Sequence, residues 1–177
     1  MEIFLLVAVL IIGGYVLLTY NSLKTLQVRI KASIQEIGNQ LKRQAELIPN
    51  LESSAKGYLK HEKDIFDKLT DARKAISSNK IEKSQELISK ALGALQVVVE
   101  SNPEIKGSTV VTDLMSELRD TGDKLMYARR TMIDLSADYN AAIVTFPNSL
   151  LTNLFSFKPQ KGLEITEKES QNPIIKL

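Results

Sequence analysis

Residues 3–18 read IFLLVAVLIIGGYVLL and contain no charged side chain. A helix of about 18 residues, which this run and its uncharged flanks provide, is about 27 Å long and matches the hydrocarbon core of a bilayer. The run also lacks the polar face that a helix of a soluble bundle shows. We therefore predict a membrane anchor over residues 1–20. Its lipid-facing positions are Ile3, Phe4, Leu5, Leu6, Val7, Leu10, Ile11, Ile12, Val16, Leu17 and Leu18.

A cleaved signal peptide is the main alternative for this segment. Such peptides begin with positive charge, whereas only Met1 and Glu2 precede the apolar run here. The first basic residues follow the run, at Lys24, Arg29 and Lys31. Because positive flanks stay on the cytoplasmic side, we predict a single-pass protein of the cell membrane. Its N-terminus is expected outside and its C-terminal domain in the cytoplasm.

Composition excludes several kinds of chemistry. The 177 residues include no cysteine, so disulfides, thiolate metal sites and cysteine catalysis are excluded. The one histidine, His61, lies in a His-Glu pair, but Ile65 stands where a zinc-peptidase helix needs its second histidine. A net charge of +2 with interspersed signs is not typical of a nucleic-acid-binding surface. We predict no metal, no cofactor, no catalytic residue and no enzymatic activity.

Apolar residues recur at helical spacing beyond the anchor. The first stripe consists of Leu23, Leu26, Ile30, Ile34, Ile37 and Leu41. Since nothing in residues 19–24 is a strong stop signal, this helix is expected to continue from the anchor. We expect an interruption at Pro49, where a helix kinks or a new one begins with Asn50 satisfying free amides.

Later breaks divide the rest of the chain. Residues 77–79 are expected to end one helix and cap the next, and Pro103 to begin another. A last long helix is expected over residues 109–146, followed by a short apolar segment at 149–157 that packs on the bundle or touches the membrane. Long helices joined by short turns predict an all-α, elongated antiparallel bundle.

Several motifs resemble the LemA family of bacterial membrane proteins. They are Tyr20-Asn21, LIPNL at 47–51, PEIK at 103–106, ARR at 128–130, DYN at 138–140 and FPN at 146–148. The resemblance covers residues 1–158, and LIPNL is its most specific part. It implies an up-and-down four-helix bundle behind one N-terminal transmembrane helix. It implies no reaction, because the biochemical role of the family is not established.

The predicted organisation is therefore an anchor at 1–20, a helical bundle domain at 21–158 and a loosely ordered tail at 159–177. Polar residues of the motifs are expected either to fix helix register, with Arg73, Arg129 and Arg130 pairing across helices with Glu46, Glu62 or Asp138, or to bind a partner. The candidate partner surface consists of Lys42, Arg43, Pro49, Asn50, Arg73, Arg129, Arg130 and Asn140.

The function predicted from these features is that of a non-enzymatic interaction or scaffold protein at the bacterial cell membrane. Its partners are expected to be the lipid bilayer and an unidentified membrane or cytoplasmic protein, and not nucleic acid. Two alternatives are a lipid-binding or envelope-stress membrane protein and an accessory of a membrane peptidase system.

Overall fold

A computed structural model describes residues 1–58 and 63–160, and this part of the chain contains helices and turns but no strand. The all-α prediction is confirmed. His61, Glu62 and most of the predicted tail, residues 161–177, lie outside the described residues. The predicted division at residues 20 and 158 stays a prediction.

The first helix, α1, spans Glu2–Ala55 and confirms that the apolar segment continues into the amphipathic one. Of the described helices, it is the one long and apolar enough to cross a membrane, and none of its 18-residue apolar window is buried in the protein. The predicted lipid-facing side chains are all exposed except that of Val16, which is half-buried. The long apolar helix is thus a candidate membrane span, while its orientation stays a prediction.

Pro49 lies inside α1, so the expectation that a new helix begins at this residue is wrong. Proline inside a helix costs about 3 kcal/mol because it removes one hydrogen bond and crowds the preceding turn. Ile48 and Leu51 flank it and are fully buried. Each buried aliphatic side chain contributes about 1.5–3 kcal/mol, which offsets the cost and keeps α1 continuous. Asn50 is therefore an exposed residue within the helix and not a cap.

Helix α2 spans Lys63–Ser77 and α3 spans Ile81–Ser101. Asn79 adopts the left-handed conformation with φ of 54°. Its amide bonds the carbonyl of Ile76 at 3.0 Å, and the amide of Lys80 bonds that of Ala75 at 2.9 Å. This pair of bonds is a Schellman motif. Asn79 thus ends α2 as expected, but it does not cap α3, whose N-cap is Lys80 without a side-chain bond.

The remaining helices are α4 at Pro103–Lys106, α5 at Thr109–Val144 and α6 at Asn148–Leu154. Pro103 occupies the first helical position, as predicted. The last long helix ends two residues earlier than expected, and the apolar segment after it forms α6.

The chain divides into two compact units. Unit 2 comprises residues 35–128, and unit 1 comprises residues 1–34 and 129–177, so α1 and α5 contribute to both. In unit 2, a single hydrophobic core draws side chains from α1, α2, α3, α4 and α5. The largest fully buried members of this core are Ile48, Leu51, Ile65, Leu69, Leu95, Ile105, Leu118 and Val111. In unit 1, the buried apolar residues include Leu23, Ile30, Met132, Leu135, Tyr139, Ile143 and Phe157.

Candidate functional site

A surface groove in unit 2 contains one of the predicted partner residues, Asn50. The groove has a volume of about 470 Å³ and lies between the end of α1 and the start of α5. Its lining residues are Asn50, Ser53, Ser54, Val110, Asp113, Leu114 and Glu117. Apolar Val110 and Leu114 are surrounded by polar and acidic side chains, an arrangement that resembles the apolar centre and polar rim of protein interfaces.

Arg43 connects to the same groove through Glu117. Its Nε donates to the Glu117 carboxylate at 3.1 Å, and its Nη2 makes a second, shorter bond to the same oxygen. The hydrogen bond to Glu117, with the charge of that carboxylate, raises the pKa of Arg43 above its ordinary value. Both side chains are substantially exposed, so the pair orients the guanidinium at the surface more than it stabilises the fold.

Pro49 lines a neighbouring groove of about 360 Å³ on the α2 side of α1. The other lining residues are Glu52, Ser53, Lys56 and Phe66. Ser53 borders both grooves. The structure therefore brings together Arg43, Pro49 and Asn50 on one stretch of α1, which we call the α1 surface.

Lys42 also lies on this stretch, and its exposed ammonium is 4.0 Å from the Glu46 carboxylate one turn away. Arg73 is exposed on α2 and lines none of the grooves described here. Glu46 thus has a partner within α1, and its expected pairing with an arginine across helices stays a prediction.

The remaining predicted partner residues lie in unit 1. Arg130 is exposed, and its Nε is 3.9 Å from the Asp134 carboxylate within α5. Residues four apart on a helix are neighbours, so this pair lies within one helix. Arg129 is half-buried. The candidate surface is thus divided between the two units.

Asn140 binds the chain that follows α6. Its Nδ2 donates to the carbonyl of Gln160 at 2.8 Å, and the amide of Gln160 donates to its Oδ1 at 2.9 Å. Next to it, the hydroxyl of Tyr139 donates to the carbonyl of Lys158 at 3.1 Å and accepts from Nε2 of Gln27 at 2.8 Å. The Tyr-Asn pair therefore holds residues 158–160, a structural role that the sequence did not indicate.

Burial shifts the pKa of Tyr139. The side chain is fully buried. Desolvation raises the pKa of Tyr139 above its ordinary value, and the hydrogen bond from Gln27 opposes the shift only in part. The phenol is neutral over the physiological range even at its ordinary pKa of about 10, and it is able to donate to Lys158.

Sequence reasoning missed a hydrogen-bonded amide pair in unit 2, of a buried Gln44 and a half-buried Gln85. Nε2 of Gln85 donates to Oε1 of Gln44 at 2.7 Å, and Nε2 of Gln44 donates to Oε1 of Gln85 at 3.2 Å. Gln44 is fully buried, and a side-chain atom at Gly122 would lie 3.3 Å from Oε1 of Gln85. The signal that predicts this burial is positional, because Gln44 continues the helical spacing of Ile37, Ile48 and Leu51.

A groove of about 500 Å³ between α3 and α5 opens beside this pair. Gln85, Gly93, Gly122 and Asp123 are among its lining residues. Within residues 1–58 and 63–160, no group of three or more histidine or acidic side chains is arranged to hold a metal ion.

Comparison with known proteins gives one assignment. No curated protein matches the chain. A family model described as LemA family matches residues 33–177, which begins within α1 and extends through the tail that the motif resemblance did not cover. On this match, which spans most of its length, the chain belongs to the LemA family.

Proposed function

We propose that this protein is a non-enzymatic scaffold that holds a protein-binding surface beside a bacterial cell membrane. One observation carries the proposal: the apolar window of α1 is wholly unburied, while the last turns of the same helix supply the α1 surface. An apolar helical face of that length without protein cover is typical of a lipid-embedded segment.

In this proposal the helical body is an elongated, up-and-down four-helix bundle of α1, α2, α3 and α5. The shared core of unit 2 supports this arrangement, because all four helices contribute buried side chains to it. Spin labels test the antiparallel order of α2 and α3. A label at Lys63 is expected close to one at Ser101 and far from one at Ile81, and the reverse order of distances would contradict it.

The α1 surface is the proposed contact for a protein partner. Its arginine is held in place by Glu117, and the adjoining groove offers Val110 and Leu114 among polar neighbours. Arginine is enriched in protein interfaces, and preorganised side chains lose less entropy on binding. The mixed charge of this surface favours a protein over nucleic acid.

Photocrosslinking in intact bacterial cells tests this contact. A photoreactive phenylalanine analogue replaces Asn50 in the full-length chain, and a matched variant carries it at Tyr127, which is 74% exposed on α5 of the same unit. We expect a discrete crosslinked protein from position 50 that is absent, or much weaker, from position 127. Equal labelling from both positions, or none from either, would contradict a docking role of the α1 surface.

Substitution of Pro49 by alanine separates binding from folding. Alanine restores a backbone hydrogen bond inside α1 and is expected to raise stability by about 1–3 kcal/mol. If Pro49 contributes to the partner surface, the crosslink from position 50 weakens although the protein is more stable. An unchanged crosslink would exclude Pro49 from the contact.

The proposed orientation, with the N-terminus outside, is tested by cysteine labelling, for which the cysteine-free chain is suited. In intact cells, a membrane-impermeant maleimide is expected to label Glu2→Cys but not Val97→Cys. Lysed cells serve as the control, since both variants must then react. Labelling of Val97→Cys alone in intact cells would indicate the opposite orientation.

A lipid-binding role is the second candidate, and one observation favours it. Leu150 and Leu154 lie one turn apart on α6, and both are exposed.

A further inference from the structure

Unit 1 contains a second long uncharged stretch besides the apolar part of α1. Residues 139–157 include no Asp, Glu, Lys, Arg or His, and they are bounded by Asp138 and Lys158. The first uncharged stretch, residues 3–23, is bounded in the same way by Glu2 and Lys24. A quarter of the residues in this chain are charged, so both stretches depart strongly from the average.

The two stretches lie side by side. The hydroxyl of Tyr15, within the candidate span, donates to Oδ1 of Asn148 at the start of α6. The ring of Tyr20 contacts those of Phe155 and Phe157, with centroid distances of 5.1 and 5.7 Å. At about 1.5 Å per residue along α1, Tyr15 is about 4.5 Å deeper than Leu18, the last apolar residue of the run. The start of α6 is therefore level with the candidate span and not beyond its end.

The segment from the end of α5 through α6 exposes several large apolar side chains. Phe146, Leu150 and Leu154 follow one another at four-residue intervals and are 81, 64 and 71% exposed. Phe155 is also exposed, in part, beside Tyr20. Such a cluster of large exposed apolar side chains marks a contact with a membrane or another protein.

Backbone groups at the end of α5 are satisfied without water. The side-chain Nδ2 of Asn148 donates to the carbonyl of Ala142 at 3.1 Å, and the hydroxyl of Thr152 donates to the carbonyl of Ile143 at 2.8 Å. The hydroxyl of Thr145 donates to the carbonyl of Ala141 at 3.1 Å. The last carbonyls of a helix normally bond to solvent, and in a lipid environment they need partners from the protein.

Charged and polar side chains lie together at one end of the two uncharged stretches. The ammonium of Lys24 lies 5.2 Å from the ring centroid of Phe157 and 5.5 Å from that of Tyr20. Lysine and tyrosine near a span end are typical of the headgroup region, where aliphatic stems and rings are embedded and polar tips reach water. Tyr139, whose hydroxyl bonds Gln27 and Lys158, lies at the same boundary.

We propose that residues 144–155, from the end of α5 through α6, are inserted into the interfacial layer of the leaflet from which α1 emerges. The protein then contacts the bilayer twice, through α1 and through this hairpin, which we call the membrane hairpin. The occupant of the exposed apolar face is lipid, because the face is level with the candidate span and lies in a stretch without charge, between Asp138 and Lys158. This inference rests on the proposed anchoring by α1.

Depth-dependent fluorescence quenching tests the membrane hairpin. Full-length single-cysteine variants Leu10→Cys, Leu150→Cys, Leu154→Cys and Val28→Cys carry an environment-sensitive dye. They are reconstituted into phosphatidylethanolamine–phosphatidylglycerol vesicles containing nitroxide lipids, with the nitroxide either near the headgroup or deep in the acyl chain. Val28 is the matched control, because it is 68% exposed on α1 of the same unit and lies about 15 Å beyond Leu18 along the helix.

We expect blue-shifted emission at positions 150 and 154 and loss of most of the intensity with the shallow nitroxide. Position 10 is expected to respond most to the deep nitroxide, and position 28 to neither. If position 10 is quenched but positions 150 and 154 behave like position 28, insertion of the membrane hairpin is contradicted, while the proposed anchoring by α1 is supported. If position 10 is not quenched, the proposed anchoring itself is wrong.

A second variant excludes a protein occupant. Leu150→Asp places a carboxylate at the proposed depth, where it is costly, and is expected to reduce quenching of a dye at position 154. Val28→Asp is expected to leave that signal unchanged. Quenching that survives Leu150→Asp, or crosslinking of two copies of the chain through Leu150→Cys without lipid quenching, would overturn the assignment to lipid.

Discussion

Asn140 and Gln160 are joined by two hydrogen bonds that run in opposite directions. The Asn140 amide donates to the Gln160 carbonyl and accepts from the Gln160 amide, at 2.8 and 2.9 Å. The side chain of Asn140 thus supplies both the donor and the acceptor for the backbone of Gln160. This pairing gives the DYN motif a structural role and makes residues 158–160 part of unit 1.

Substitution of Asn140 by alanine is expected to release residues 158–160 from α5. Each net hydrogen bond contributes about 0.5–1.5 kcal/mol, so loss of one bond corresponds to about fivefold faster amide exchange at Gln160, and the loss of both to more. Hydrogen exchange measured by mass spectrometry on the full chain in detergent checks this. Asn140→Asp, which keeps only the acceptor, is expected to be intermediate if the remaining bond survives. Asn50→Ala, at an exposed position of α1, serves as the control, and unchanged exchange in Asn140→Ala would contradict the pairing.

Tyr139 predicts a loss of stability at alkaline pH. Its raised pKa means that the unfolded chain loses the phenolic proton at about pH 10, before the folded protein does. The stability that the protonated phenol contributes is therefore fully present below that pH, and it is lost as the pH rises through the folded-state pKa. Thermal unfolding of wild type and Tyr139→Phe, at neutral and alkaline pH, measures the effect.

The phenylalanine variant is expected to show a smaller alkaline loss than the wild type. At neutral pH it costs about 1–3 kcal/mol, because the Gln27 amide and the Lys158 carbonyl lose their partner. Tyr127→Phe removes an exposed phenol and is expected to change neither quantity. Equal alkaline losses in wild type and Tyr139→Phe would show that another group causes them.

Two glycines in unit 2 predict different responses to alanine. Gly93 lies inside α3, and an added Cβ meets nothing within 4 Å, so Gly93→Ala is expected to stabilise the fold by about 0.5–1 kcal/mol. At Gly122 the added Cβ lies 3.3 Å from Oε1 of Gln85, so the amide pair must shift and part of the gain is lost. Chemical denaturation of both variants compares them directly. Equal stabilisation would mean that the Gln85 amide moves without cost.

The hydrogen-bonded pair of Gln44 and Gln85 is expected to behave as one energetic unit. Gln44→Leu leaves the Gln85 amide without its partner and costs about 1–3 kcal/mol. The double variant with Gln85→Leu is expected to be destabilised by less than the sum of the single variants, because no unpaired amide remains. Gln35→Leu, at an exposed position, is expected to stay within about 0.5 kcal/mol of wild type. Additive costs in the double-mutant cycle would contradict the pairing.

Helix positions were predictable where local signals agreed with packing. The end of α2 followed from Asn79, which tolerates the left-handed conformation, and the start of α4 followed from Pro103. Pro49 did not end the helix, because the nearby Ile48 and Leu51 are buried. The local sequence signal of a proline does not include the burial of its neighbours. The burial of Gln44 was not predicted either, since a polar residue is not expected at a core position.

The candidate surface was predictable only in part. Arg43, Pro49 and Asn50 are close in sequence, and a continuous helix keeps them on one stretch of α1. Arg129, Arg130 and Asn140 belong to unit 1, and Asn140 is occupied by Gln160. Sequence motifs give residue types but not the partner that each side chain finds.

The amino-acid sequence by itself determined the helical class, the uncharged N-terminal segment and the family, because periodicity, hydropathy and motifs are properties of neighbouring residues. Only the tertiary structure decided that Tyr139 and Asn140 hold residues 158–160, that Gln44 pairs with Gln85, and that Tyr15 meets Asn148. These contacts join residues that are between 19 and 133 positions apart. Their partners are selected by packing between helices, which no local pattern records.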